Sequence, residues 1–399
     1  MAHIVGFKIA GLAGRKDIYT TELNRDINIF YGVNGSGKTS LLKILHSVML
    51  GDTSMLKRVP FEWAEVTIHS VDYDKDFVAA LHKGRMKRKP SAIRKKPAKA
   101  VMQRVSDIDE SIRDVYRYRR VAGEELSWKY QPKLPPGTRG KWHHRYLPTY
   151  RLYRGPETYS SRLYRDIGEP MELAYDWDML FEKNFHELWL SYSNRYLSEI
   201  RTIQGKGLES VLRRILTSRV ARGETKQLDS KVAYERVAAF LTRQGSRHYL
   251  GRRDAFEKRY QRSPELKSVV NDINTIEEKI EAAMASRRKL EQLIHNMFTG
   301  NKMVKFDDKD VDVETDDQQR IGLNSLSSGE KHTLCIFIET LLAEIGTVLI
   351  DEPEMSLHVD WQRELISDMH QLNPDAQLVV ATHSPVIISG ISDDKVFRL

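Results

Sequence analysis

Apolar positions along the chain follow two rhythms. Short runs such as Ala2-His3-Ile4-Val5-Gly6-Phe7, Ile27-Asn28-Ile29-Phe30-Tyr31, Thr347-Val348-Leu349-Ile350 and Val379-Val380-Ala381 read as strands, the last two ending in polar residues. From about Pro170 to Asn296 glycine is sparse, and apolar or aromatic residues recur at three- and four-residue spacing: Phe181, Phe185, Leu188 and Tyr192, then Val269, Val270, Ile273, Ile276, Ile280 and Met284. This period predicts helices, their stripe being either a short coiled coil or the packed face of a bundle. Asp307 to Glu314 alternates valine with acid and predicts an exposed β-hairpin; it imitates a calcium loop, but Val313 stands where that loop needs glycine. The chain thus divides into an N-terminal lobe (1–165), a helical insertion (166–298) and a C-terminal lobe (299–399), the lobes being α/β.

Candidate chemistry sits at the strand ends. Gly32-Val33-Asn34-Gly35-Ser36-Gly37-Lys38-Thr39 fills every position of G-x-x-x-x-G-K-[ST] between the run ending at Tyr31 and the helix-like stretch from Ser40. Such a loop cradles phosphate, because the N–H groups from Asn34 to Lys38 and the helix start have no intrahelical partners. Lys38 is the candidate for the β/γ oxygens of ATP, and Thr39 for Mg²⁺. More than three hundred residues downstream, Asp351 ends a strand and can hold the Mg²⁺ hydration shell, while the adjacent Glu352 can polarise an attacking water. Leu326-Ser327-Ser328-Gly329-Glu330 precedes the first of these strands, and Thr382-His383-Ser384 ends the second.

In this order the segments resemble the ABC-type ATPase heads shared by SMC proteins and transporters, over roughly residues 1–70 and 300–399. The resemblance implies a P-loop nucleotide-binding head with split lobes, here carrying a basic β/loop region and the helical insertion. It implies that His383 senses the γ-phosphate and that Ser327, Ser328, Gly329 and Glu330 form the signature facing nucleotide on a second head. ATP would then lie between two chains, in a homodimer or higher homo-oligomer. Two positions depart from the pattern: His358 replaces an aspartate, and Thr149 or Arg151 stands near the place of a glutamine. The wording Asp-Glu-Pro-Glu-x-Ser-Leu-His from Asp351 and Ala-Thr-His-Ser-Pro from Ala381 looks like ATPases of the overcoming-lysogenisation-defect (OLD) class, whose heads are similar to those of the antiphage systems PARIS, Septu and some retrons. OLD nucleases carry a nuclease domain after the head, whereas sixteen residues follow His383 here. The resemblance therefore implies an effector, such as a nuclease, encoded separately, with an SMC-like DNA-processing ATPase as the alternative.

Charge adds a second feature. Residues 83–154 hold 21 Lys and Arg against six acids, although the net charge of the whole 399-residue chain is only +8. Lys87, Arg88, Lys89, Arg94, Lys95 and Lys96 form its densest part, and Arg117, Arg119 and Arg120 are interleaved with tyrosine. Such a stretch suits either nucleic acid, through phosphate neutralisation and stacking, or an acidic protein partner. The lone Cys335 excludes an intrachain disulfide and is expected to be a buried small hydrophobe. His143-His144 lacks companions at zinc spacing. No leader-like N-terminus is visible, and the most apolar window, Leu334–Ile350, is interrupted by Glu339 and Glu344, so a cytoplasmic protein without a membrane segment is expected.

Overall fold

The computed structural model describes residues 1–83, 126–135, 141–149, 177–217, 228–243, 245–298 and 302–399. They fall into two compact units, one joining residues 1–154 to 327–399 and the other comprising 155–326.

The first unit is built on two sheets with a helix between them. Among the described residues, one sheet has the order β2 (Ile18–Glu22), β1 (Ala2–Ala10), β4 (Trp63–Ser70), β5 (Lys75–His82), β6 (Lys129–Gln131), antiparallel throughout. The other is parallel, with the order β13 (Val396–Arg398), β3 (Ile27–Tyr31), β12 (Gln377–Thr382), β11 (Thr347–Asp351), β7 (His144–Leu147). β11 and β12 are buried at every position, as expected for strands covered on both faces. Helix α1 (Lys38–Leu50) packs Leu41, Leu42, Ile44, Leu45, Val48 and Met49 into one core with Ile4 and Phe7 of β1, Val66 of β4, Leu349 of β11 and Val379 of β12. Contact with both sheets explains why the helix is buried nearly all round, His46 and Ser47 included.

One polar side chain stitches the sheets together. Gln377 is fully buried on β12; its Nε2 donates to the Ile4 and Asn24 carbonyls (2.7 and 2.8 Å), and its Oε1 accepts from Ile4 N and Thr347 Oγ1 (2.9 and 3.0 Å). The β1–β4 register shifts between Ile4 and Gly6, so backbone groups freed by this irregularity find partners in the glutamine amide.

The second unit contains helices α2 (Trp177–Thr217), α3 (Ser230–Arg243), α4 (Arg253–Arg262) and α5 (Pro264–Met297), and a sheet ordered β10 (Arg320–Ile321), β9 (Val311–Thr315), β8 (Lys302–Phe306). Ser263 caps α5 by accepting from Leu266 N, with Pro264 in the first turn, where its missing N–H costs nothing. Val270, Ile273, Ile276 and Ile280 of α5 pack with Val211 of α2, Ala233, Val237 and Phe240 of α3, and Tyr260 of α4. A stripe meeting three helices is a bundle face rather than a two-stranded seam. The hairpin expected at Asp307–Glu314 is β8–β9, with 307–310 as its turn, and it is not exposed throughout, since Val311 and Val313 are buried. Fully buried Trp189 of α2 packs on Phe306 and donates Nε1 to Asp307 O (2.7 Å). Among the described residues no helix is long and apolar enough to cross a membrane.

Candidate nucleotide site

All five strands of the parallel sheet run the same way, so the ends of β3, β11, β12 and β7 lie along one edge. Tyr31 pairs with Thr382, and Asp351 with Ala381, so the P-loop, the acid pair and the His383 turn leave the sheet side by side. This is where open α/β sheets carry ligand sites.

The P-loop has the geometry for an anion. Gly35 and Gly37 take φ of 83° and 107°, which a residue with a side chain rarely adopts. At Gly32 a Cβ would lie 2.5 Å from Leu399 O and 2.9 Å from Ser36 Oγ. No side chain caps α1, so its first-turn N–H groups are left for a ligand, and Ser36 Oγ is buried without a hydrogen-bond partner among the described residues. Both features fit a phosphate group. Asn34 is exposed, and Ser40, in the first turn of α1, is half-buried. Lys38 is 5% exposed; its Nζ donates to the Gly32 carbonyl (2.8 Å) and sits 3.6 Å from Glu352 Oε1.

Asp351, 1% exposed, is gripped by hydroxyls from two directions. Thr39 Oγ1 donates at 2.9 and 3.2 Å to its two oxygens, and Thr149, just past β7, donates Oγ1 to Oδ2 at 2.9 Å. Of the two residues standing near the expected glutamine, Thr149 therefore reaches the acid, while Arg151 lies outside the described residues. The three oxygen-bearing side chains form a donor set of the kind Mg²⁺ takes.

Glu352 adopts φ of 51°, a conformation held by its N–H donating to Ala381 O (2.8 Å). It turns the carboxylate onto His383, whose Nδ1 hydrogen-bonds Glu352 Oε2. Burial and the neighbouring Glu354 carboxyl push the Glu352 carboxyl up from its ordinary range, while His383 pulls it down. The His383 side chain is about half exposed at 51%, leaving it open to a ligand.

The signature segment opens helix α6 (Ser328–Leu342) through a capping box: Ser327 Oγ accepts from Glu330 N (3.3 Å) and Glu330 Oε2 from Ser327 N (2.6 Å). Ser327 and Ser328 are exposed and Gly329 is buried, where a Cβ would meet Ser356 O at 2.6 Å. His358, at the variant position, caps α7 (Val359–Leu372) by accepting from Asp360 N (3.4 Å). Cys335 is half-buried rather than fully inside. Lys87, Arg88, Lys89, Arg94, Lys95, Lys96, Arg117, Arg119 and Arg120 lie outside the described residues. Sequence reasoning gave Glu354 no role, although it is 6% exposed and central to the polar contacts; its only signal was a second acid two residues beyond Glu352.

Fold and motif order together define an ABC-type P-loop head of split α/β lobes. The chain belongs to the family described as "AAA domain, putative AbiEii toxin, Type IV TA system", which matches residues 135–389, well over half of its length. It is 27% identical to the Retron Vc95 probable ATPase of Vibrio cholerae serotype O1 biovar El Tor over 19% of this chain and 17% of that one. It is also 31% identical to the Septu protein PtuA of Bacillus thuringiensis over 24% and 28%, respectively. The matched segments thus span less than a third of these relatives. Among solved structures, the Smc head domain of Pyrococcus furiosus, bound to the C-terminal domain of ScpA, aligns over 98% of this chain and 92% of that one at 12% identity and a TM-score of 0.42. The recombination mediator protein RecF aligns over 100% and 96% at 12% identity and a TM-score of 0.39.

Proposed function

We propose that this protein is a Mg²⁺-dependent ATPase, the sensor or scaffold subunit of a prokaryotic antiphage defence complex whose effector is a separate polypeptide. The observation that carries the ATPase reading is the convergence of Lys38, Thr39, Asp351, Glu352 and His383 on one edge of the parallel sheet. The defence reading rests on the retron and Septu relatives and on the OLD-like wording of the motifs. Nucleotide phosphates would be held by the loop N–H groups, Ser36 and Lys38. Thr39 and Asp351, with Thr149 beside them, would hold Mg²⁺, which neutralises charge on the phosphates. Glu352 would orient and deprotonate water, with His383 keeping it aligned.

Ser327, Ser328, Gly329 and Glu330 would complete the site of a second copy, making the working unit a dimer or larger homo-oligomer. The basic stretch containing Lys87, Arg88, Lys89, Arg94, Lys95 and Lys96 would contact nucleic acid or the effector. The decisive test is a pair of variants in the purified protein. Glu352→Gln should bind ATP as the wild type does while hydrolysing it at least about a hundredfold more slowly, whereas Lys38→Ala should lose ATP binding itself. Wild-type turnover in Glu352→Gln would remove the proposed role of this carboxylate.

A further inference from the structure

Glu354 lies outside the set of residues that would touch nucleotide, yet one of its oxygens gathers the His383 turn. Oε1 accepts from Thr382 Oγ1 (2.5 Å), His383 N (3.1 Å) and Ser384 N (3.1 Å). The same oxygen is 3.3 Å from His383 Nδ1. Burying a carboxylate at 6% exposure is costly unless donors replace its water; these three do so at Oε1, whereas Oε2 is buried without a hydrogen-bond partner among the described residues. The dependence is mutual: without that oxygen, the His383 amide would lose its partner and the buried Ser384 amide would keep only Thr382 Oγ1, at 2.9 Å.

A ring of contacts extends from this carboxylate. Ser384 Oγ donates to Gln362 Oε1 (3.0 Å), and Gln362 Nε2 donates to Leu357 O (3.0 Å) and to the Glu354 carbonyl (3.4 Å). Gln362 belongs to α7, so the ring closes through the 354–358 segment, the start of α7 and the turn after β12. Ser356 within that segment takes φ of 66° and presents its carbonyl to Gly329 of the signature helix. His332 of the same helix hydrogen-bonds Met355 O at 2.5 Å.

We propose that Glu354 is a positioning residue that fixes the His383 turn against Glu352 and ties both to the signature helix through the 354–358 segment. The catalytic part of this assignment rests on the ATPase reading; the structural part does not. Glutamine at 354 would still offer Oε1 to the same three donors, whereas alanine would remove the acceptor. Amide hydrogen exchange therefore reads the inference directly. In Glu354→Ala the His383 and Ser384 amides should exchange at least about tenfold faster, with Glu354→Gln restoring protection.

In steady-state kinetics Glu354→Ala should lose at least about tenfold in kcat, with ATP affinity within about threefold of wild type. Glu354→Gln should recover to within about threefold of wild type. Adding His383→Ala to Glu354→Ala should cost little beyond His383→Ala alone, because both changes disable one unit. If Glu354→Ala does not fold, Thr382→Val, which removes one donor to the same oxygen, should show the same losses in smaller measure, with exchange read at the His383 amide because the Ser384 amide also bonds Thr382 Oγ1. Unchanged exchange in Glu354→Ala, or in Thr382→Val where that variant is used, overturns the inference. So does a Glu354→Gln variant as defective as Glu354→Ala, since negative charge rather than placement would then be at work. Should the wild type bind and hydrolyse no ATP while exchange behaves as stated, the ATPase reading fails and the positioning contact stands.

Discussion

His144 shows how a residue without an evident catalytic part can set the pH response of the head. It lies on β7; its Nδ1 bonds the Trp142 carbonyl (2.8 Å) and its Nε2 faces His46 Nδ1 of α1 (2.7 Å). With Nδ1 donating to a carbonyl, Nε2 is the acceptor in the neutral ring. Burial is the main cause lowering the His144 pKa from 6.5 to about 4, with nearby His143 and Arg145 adding to it and the Trp142 carbonyl opposing. The folded value lies below the unfolded one, so the unfolded chain binds the extra proton first. Stability associated with His144 is thus intact above pH 6.5 and is lost as pH falls from there towards 4. The full difference is on the order of 3 kcal/mol. Urea unfolding of the wild type at pH 7.5, 6 and 5 should show this loss, and a His144→Gln variant should show a shallower one. Equal slopes would mean that the imidazole stays solvated.

Helix α2 permits an element-scale prediction free of assumptions about nucleotide. Gly205 and Gly207 are two residues apart, but a Cβ at Gly205 meets nothing within 4 Å, whereas one at Gly207 falls 2.4 Å from Ile276 Cγ1 of α5. Gly205→Ala should therefore stabilise the helix by about 0.5–1 kcal/mol, the backbone-entropy advantage of alanine. Gly207→Ala should destabilise by about 1–3 kcal/mol, because Ile276 is itself packed in the bundle core. Chemical denaturation of the two variants checks both signs. The 3.6 periodicity made these helices legible as helices. It did not show which glycine faces α5, nor that Trp189 anchors the β8–β9 turn through a bond to Asp307, 118 residues away. Those facts depend on how elements dock.

At the scale of the whole molecule, each chain carries one P-loop and one signature segment, and Ser327 and Ser328 stand exposed at the start of α6. If the signature serves a second copy, Lys38→Ala chains mixed with Ser327→Arg chains should recover part of the ATPase activity that each lacks alone. Half of the sites in a mixed dimer are doubly damaged and the other half intact, so recovery should reach at most about half of the wild-type rate per mixed dimer. If each variant stays active alone, the two-chain arrangement is excluded.

The sequence by itself determined what depends on contiguous residues. A phosphate loop needs particular backbone conformations and one lysine within a single turn, and acids at the end of an apolar run need only the run to be a strand. The capping box of α6 was similarly contained within Ser327–Glu330, although its hydrogen bonds were not evident. Tertiary structure alone decided which distant groups share a proton or an acceptor. Thr149 reaches Asp351 because β7 lies beside β11 in parallel register; Gln377 serves β1 because the register of that strand breaks at Ile4; and Glu354 holds a turn 28 to 30 residues away. Buried polar groups must find partners wherever the fold places them, and a linear pattern of apolar and polar positions does not specify those places.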